Sequence, residues 1–131
     1  MSRTYLRPGF LVAKVFNPVA MGLGLASTLA VRGRRSGQLR TVPVNVLELD
    51  GARYLVAPRG ETDWVLNLRA AGEGALRRRG KEERFRASEL PAAERPPIIA
   101  AYRERWEAQT KAQFKALPDP ADHPVFRIEP R

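Results

Sequence analysis

The chain has 131 residues, enough to bury one ordinary core without covalent staples, and its 23 Lys+Arg against 14 Asp+Glu give a formal charge of +9. It holds no cysteine and one histidine, which excludes a disulfide framework, a thiolate metal site, a cysteine nucleophile and any multi-histidine metal centre. An enzyme built from this inventory takes its chemistry from a bound cofactor, and the charge suits an anionic partner: nucleic acid, acidic lipid headgroups or a phosphorylated cofactor.

Residues 1–8 read as a basic lead-in. Phe10 to Phe16 is a short apolar helix candidate ended by Asn17-Pro18, because the residue before proline avoids the helical region. Pro18 then opens a second short helix to about Leu25. Residues 15–31 carry no charge, yet Lys14 cuts the apolar run just before them and Pro18, Gly22 and Gly24 interrupt it. A membrane span needs about 20 apolar residues, so a packed segment is expected, with peripheral membrane contact as the alternative.

Ser27 to Arg32 fits a strand with Leu29 and Val31 on one face. The turn from Arg32 to Arg40 sets four arginines and no acid among two glycines and a serine. Backbone N–H groups of such a turn can point at a phosphate while guanidinium forks bind it, although a solvated basic turn has the same composition. Thr41 to Leu49 reads as a strand, with Val42, Val44 and Val46 alternating. Pro43 removes a ladder donor and so belongs at an edge or bulge, where a planar ring can lie against backbone amides.

Asp50-Gly51 is a two-residue hairpin signal returning along Arg53 to Ala57. The Pro58-Arg59-Gly60-Glu61 loop follows, and Thr62 or Asp63 caps a helix from Trp64 to about Ala71, ended by Gly72. Trp64 and Asn67 share one side of that helix, where a tryptophan is most often core. Ala75 to Arg79 and Glu82 to Ser88 form a second hairpin around Gly80-Lys81, with Leu76, Phe85 and Ala87 packing. The run Arg77, Arg78, Arg79, Lys81, Arg84 and Arg86 could meet nucleic-acid phosphates. Glu82 and Glu83 interrupt it and no aromatic alternates with it, so a solvated face and no nucleic-acid partner are expected.

Ile98, Tyr102 and Trp106 make an i, i+4, i+8 stripe on a main helix continuing through Phe114, until Leu117-Pro118-Asp119-Pro120 stops it. Val125 to Ile128 closes the chain as a strand, with Phe126 and Ile128 on one face and Val125 and Arg127 on the other. His123, directly before it, reads as structural. The pattern is α+β, with strands able to close a small barrel.

Three of these stretches, in this order, carry a resemblance. Gly33 to Pro43 runs Gly-Arg-Arg-Ser-Gly-x-x-Arg-x-x-Pro, Trp64 to Leu68 runs Trp-x-x-Asn-Leu, and His123-Pro124-Val125-Phe126-Arg127-Ile128 forms the ending. Over roughly residues 17 to 130 the chain resembles the deazaflavin-dependent nitroreductase family, small split-barrel oxidoreductases that use coenzyme F-420, an 8-hydroxy-5-deazaflavin. The resemblance implies one domain over residues 1–131. Its fold would be an α+β split β-barrel (FMN-binding-like) with short N-terminal helices, one short helix between hairpins and a longer C-terminal helix.

It also implies that the positions of Arg34, Arg35, Ser36, Gly37 and Arg40 hold the cofactor's phosphate, with Arg35 and Arg40 the chief charge partners and Arg34 serving the tail or facing water. Pro43, Val44 and Asn45 would offer backbone to the ring, the Pro58, Arg59 and Gly60 loop would lie nearby, and Trp64, Val65 and Asn67 would border the ring. Tyr102 and Trp106 are substrate-pocket candidates on the same ground, whereas their spacing alone makes them glue between helix and barrel. No catalytic side chain is assigned and no metal is expected. The expected protein is a cytoplasmic oxidoreductase passing hydride from reduced deazaflavin to a small-molecule acceptor such as a quinone, enone or nitroaromatic, with homodimerisation left open. FMN is the less favoured cofactor. The rival readings are a non-catalytic flavin or deazaflavin binder and a basic nucleic-acid-binding module.

Overall fold

The computed structural model describes residues 27–131, so the two short helices expected before Ser27 lie outside the described residues. Seven strands follow: β1 (Ser27–Arg32), β2 (Leu39–Val44), β3 (Val46–Leu49), β4 (Ala52–Val56), β5 (Glu73–Arg78), β6 (Lys81–Glu89) and β7 (Val125–Pro130). They form one antiparallel sheet in the order β2-β1-β5-β6-β7-β4-β3.

The two outermost strands are consecutive in the chain, with only Asn45 between them. In a flat sheet of this size the edges would stand about 29 Å apart. The two Cα–Cα steps across Asn45 reach only about 7 Å. The sheet must therefore curl until its edges meet, and that curl is the half-barrel. The single strand expected over Thr41 to Leu49 is corrected accordingly: it is two strands at opposite edges, broken at Asn45. Pro43 does sit on an edge strand, opposite Thr28, where its missing N–H is least costly.

Both tight hairpins use two residues at positive φ, Asp50 (52°) with Gly51 (80°) and Arg79 (52°) with Gly80 (78°). The second turn lies one residue earlier than expected and pairs Lys81 with Arg78, because this turn type prefers glycine in its second position. Helix α1 (Asp63–Ala71) ends on left-handed Gly72, whose N–H reaches the Leu68 carbonyl at 2.8 Å.

The expected continuation of the C-terminal helix through Phe114 is interrupted, giving α2 (Pro96–Arg105) and α3 (Glu107–Ala116) about Trp106 (φ −121°, ψ 36°). The Trp106 carbonyl accepts from Thr110 Oγ1 at 2.8 Å, and the bend brings Phe114 within 6.4 Å of the Tyr102 ring. Burying both rings in one cluster outweighs the continuity of one rod.

Strand alternation divides the apolar residues between two layers. Leu29, Val31, Leu55, Leu76, Phe85, Phe126 and Ile128 fill the curl and meet Val65 and Leu68 of α1. On the outer face Leu47, Val56 and Val125 are covered by Ile98, Ile99, Tyr102 and Phe114 of α2 and α3. A fully buried ring such as Phe126 contributes about 2–3 kcal/mol by area.

The basic run of the β5–β6 hairpin is interleaved with acids. The register sets Arg77 against Glu82 and Arg86 against Glu73, and Arg77 Nε lies 2.9 Å from the Glu82 carboxylate. Among the described residues no helix is long and apolar enough to cross a membrane.

Candidate functional site

The turn between β1 and β2 is held by its own backbone. Gly33 N–H donates to the Gln38 carbonyl at 2.8 Å and Gly37 N–H to the Gly33 carbonyl at 2.9 Å. Gly33 is packed closely, since a Cβ there would lie 3.1 Å from Ser36 Oγ and 3.3 Å from the Gln38 carbonyl oxygen. Ser36 Oγ accepts the Gln38 N–H at 3.1 Å, which leaves its hydroxyl hydrogen to donate elsewhere. Arg32 folds back on the turn, donating to the Gly37 carbonyl at 3.0 Å.

Arg34 reaches across to α1. Its backbone N–H and its Nη1 both donate to Asn67 Oδ1, at 3.0 and 2.8 Å, and its Nη2 stands 3.5 Å from Asp63. This clasp brings residues 33–42 against residues 59–67 around a cleft of about 520 Å³. Of the expected site residues the cleft collects Arg34, Arg35, Ser36, Arg40, Arg59, Trp64 and Asn67. Thr62 and Asp63 line it as well, and both were read only as helix caps; the start of a helix beside an arginine turn was the available signal. Val31 and Val42 supply apolar wall.

Other expected residues go elsewhere. Gly37, Pro43, Val44, Pro58 and Gly60 are not among the cleft walls. Val65 is fully buried in the barrel core. Asn45 points to the outer helices, its Nδ2 donating to Gln109 Oε1 at 3.0 Å and lying 3.4 Å from the Tyr102 hydroxyl. Tyr102 is 2% exposed, with the Trp106 ring 4.9 Å away, so both aromatics serve the outer helix layer and not the cleft. Burial pushes the Tyr102 phenol up to about 12, with the Asn45 contact acting in the opposite sense.

His123 is also structural in placement. It is fully buried, with Nδ1 2.8 Å from the Ala57 carbonyl oxygen and Nε2 2.6 Å from that of Leu117. It thereby pins the base of the loop that carries Arg59. Among the described residues no cluster of His, Cys, Asp or Glu could hold a metal ion.

Arginine charge is unevenly spent across the fold. Arg53, Arg69, Arg77, Arg95, Arg127 and Arg131 each face a glutamate. Among the described residues, Arg35 and Arg40 have no carboxylate partner, and both lie on the cleft. Two unspent guanidinium groups, a free hydroxyl hydrogen on Ser36 and apolar walls at Val31, Val42 and Trp64 suit a flat ring that carries an anionic appendage.

Comparison with known proteins bears on the family and the fold. The family model described as F420H(2)-dependent quinone reductase matches residues 17–118. A structure described as a domain-swapped dimer is 22% identical, covers 80% of each chain and superposes with a TM-score of 0.60. That of an F420-H2 dependent reductase (FDR-A) is 24% identical over 80% of this chain and 94% of that one, TM-score 0.58. A further structure, described as an F420 reductase, is 13% identical over 82% and 87%, TM-score 0.55. At such identities these structures show the split-barrel fold alone. No curated protein matches the chain.

Proposed function

Because this chain belongs to the F420H(2)-dependent quinone reductase family, oxidoreductases named for their reduced deazaflavin coenzyme, we propose that the Arg35–Arg40 cleft holds that coenzyme for reduction of an organic acceptor, a quinone foremost. Enones and nitroaromatics are the next acceptors to screen. The observation that carries this reading is the pair of unspent guanidinium groups, Arg35 and Arg40, beside Ser36 on one wall of the cleft. The donor set fits the group: it is cationic where a phosphate needs charge and apolar at Val31, Val42 and Trp64 where a ring needs contact.

When bound, the reduced deazaflavin supplies a hydride, two electrons and one proton's worth of mass. The chain's own part is position and charge. Arg35 and Arg40 neutralise the anionic appendage, and Ser36 has a hydroxyl hydrogen to donate to one of its oxygens. Trp64, Val31 and Val42 exclude water from one side of the ring. The second proton that completes a hydroquinone comes from solvent, because Arg35, Ser36, Arg40 and Thr41 leave that side of the cleft exposed. Tyr102 stays protonated and buried, away from this chemistry.

The test is a fluorescence titration of the protein with oxidised deazaflavin, run beside FMN and repeated with Arg35→Ala plus Arg40→Ala. Binding weakened by about two orders of magnitude in the double variant is expected from two charge-assisted contacts. FMN binding in preference to deazaflavin would change the cofactor, and no binding of either would sink the reading.

A further inference from the structure

We infer that Arg69, which is not among the cleft walls, is a positioning residue: it clamps one end of the Pro58–Glu61 loop and so fixes Arg59 on the cleft. The inference rests on the deazaflavin reading above and adds a residue that touches no ligand. Two backbone bonds shape the loop between β4 and α1. Gly60 N–H donates to the Ala57 carbonyl at 3.2 Å, and Thr62 N–H donates to the Gly60 carbonyl at 2.9 Å. They form the turn, but its place against the cleft is set where it joins the fold. The first end is held by uncharged groups on Ala57. His123 Nδ1 lies 2.8 Å from its carbonyl oxygen, and its N–H donates to the Pro124 carbonyl at 3.0 Å.

The second end is held by ions. Arg69 Nη2 stands 3.5 Å from the carboxylate of Glu61, the last residue of the loop. Glu89, at the end of β6, aims that guanidinium by accepting from Nε at 2.7 Å and from Nη2 at 2.8 Å. A two-pronged contact fixes the guanidinium plane, so the Nη2 shared with Glu61 has one direction. Glu89 is held in turn by Arg95 Nη2 at 3.3 Å, and Arg95 Nη1 donates to the Ala121 carbonyl at 3.2 Å. Ala121 lies in the short turn Pro120–Asp122 that leads into His123. Both ends of the loop are thus tied to residues 120–124, one through uncharged bonds and the other through the arginine–glutamate chain. The Arg69 side chain is 38% exposed. Ion pairs this exposed are individually weak, so the expected effect is a few-fold change in binding and not a loss of fold.

Variants of the whole chain test this. Arg69→Gln removes the charge and the fork while keeping much of the side chain's length. It is expected to melt within about 3 °C of the wild type and to bind oxidised deazaflavin about fivefold more weakly. Glu61→Gln, at the other end of the same contact, is expected to weaken binding to a similar extent. A cycle with Arg59→Ala separates positioning from general stabilisation. If Arg69 acts by placing Arg59, Arg69→Gln costs nothing further once the Arg59 side chain is gone. The amides of Gly60 and Thr62 are both bonded within this turn. They should exchange faster in Arg69→Gln and Glu61→Gln, while those of β1 and β6 keep wild-type rates.

Wild-type affinity in either Arg69→Gln or Glu61→Gln overturns the positioning role. So does a loss from Arg69→Gln that persists undiminished in the Arg59→Ala background. Exchange quickened evenly across the sheet, with a thermal midpoint well below the wild type's, also overturns it, because Arg69 would then serve the fold as a whole. If the wild type binds no deazaflavin, the earlier reading fails and amide exchange alone decides this one. Faster exchange confined to Gly60 and Thr62 in Arg69→Gln upholds the clamp, and rates that are unchanged or raised throughout overturn it.

Discussion

Asn45 donates to Gln109 Oε1 at 3.0 Å from the single residue where β2 passes into β3, and so ties the meeting point of the two sheet edges to α3. Asn45→Ala removes that tie and leaves Gln109 without it. A loss of about 1–2 kcal/mol in unfolding free energy is expected, read as a lower urea midpoint at unchanged slope. An unchanged midpoint would mean that the seam holds by backbone geometry alone.

Gly74 sits where β5 crosses close to β1. A Cβ there would meet the Ala30 carbonyl oxygen at 3.0 Å and the tip of the Phe85 ring at 3.1 Å. Backbone on one side and a fully buried ring on the other cannot both yield. Gly74→Ala is expected to cost about 1–3 kcal/mol, visible as a drop in thermal midpoint with the cleft arginines untouched.

Tyr102 makes stability depend on alkaline pH. Burial raises its folded value to about 12 from the ordinary 10, so the unfolded chain loses this proton first. The native state's advantage is whole below the unfolded value and falls away as the pH rises from about 10 through about 12. Tyr102→Phe has no proton to lose, and its thermal midpoint should fall less steeply than the wild type's over that window. At neutral pH the two should differ by less than about 1 kcal/mol, because the Asn45 contact at 3.4 Å is long. Parallel slopes for the two proteins would discard this account.

His123→Ala should be the most damaging of these changes. It opens a cavity beside the Phe114 ring, 4.4 Å away, and deprives the Ala57 and Leu117 carbonyls of their contacts with the imidazole. A cost of about 3 kcal/mol is expected. Because Ala57 opens the loop leading to Arg59, amide exchange at Gly60 and Thr62 should quicken beyond the global effect. Exchange that accelerates evenly along the chain would argue against a local role.

What was legible in the sequence was local. Asp50-Gly51 specifies its hairpin through positive φ at both residues, and Gly72 stops α1 through the same property, so each shows in a short window. The arginine turn and the Trp64–Asn67 segment were legible as motifs, and the fold places them on one cleft. The break at Asn45 was not, since a run of valines either side of one asparagine reads as a single strand until the far edge of the sheet is known. Nor was the bend at Trp106, which has no glycine or proline and follows from Phe114 returning to Tyr102. The role of Arg34 was not legible beside those of Arg35 and Arg40, because its partner, Asn67, lies on a different element.

The seventh strand in chain order is an interior member of the sheet, lying between β6 and β4. Without Val125–Pro130 the strands fall into two blocks, β2-β1-β5-β6 and β4-β3, joined covalently at Asn45 and exposing the edges of β4 and β6. Pairing Val56 with Val125 then spans α1, the β5–β6 hairpin and both outer helices, a non-local closure of the slow kind. During synthesis the arginine turn emerges early but the barrel cannot shut until β7 arrives. A chain halted after α3 would present two open edges to its neighbours, which makes this interval the point of greatest exposure to aggregation.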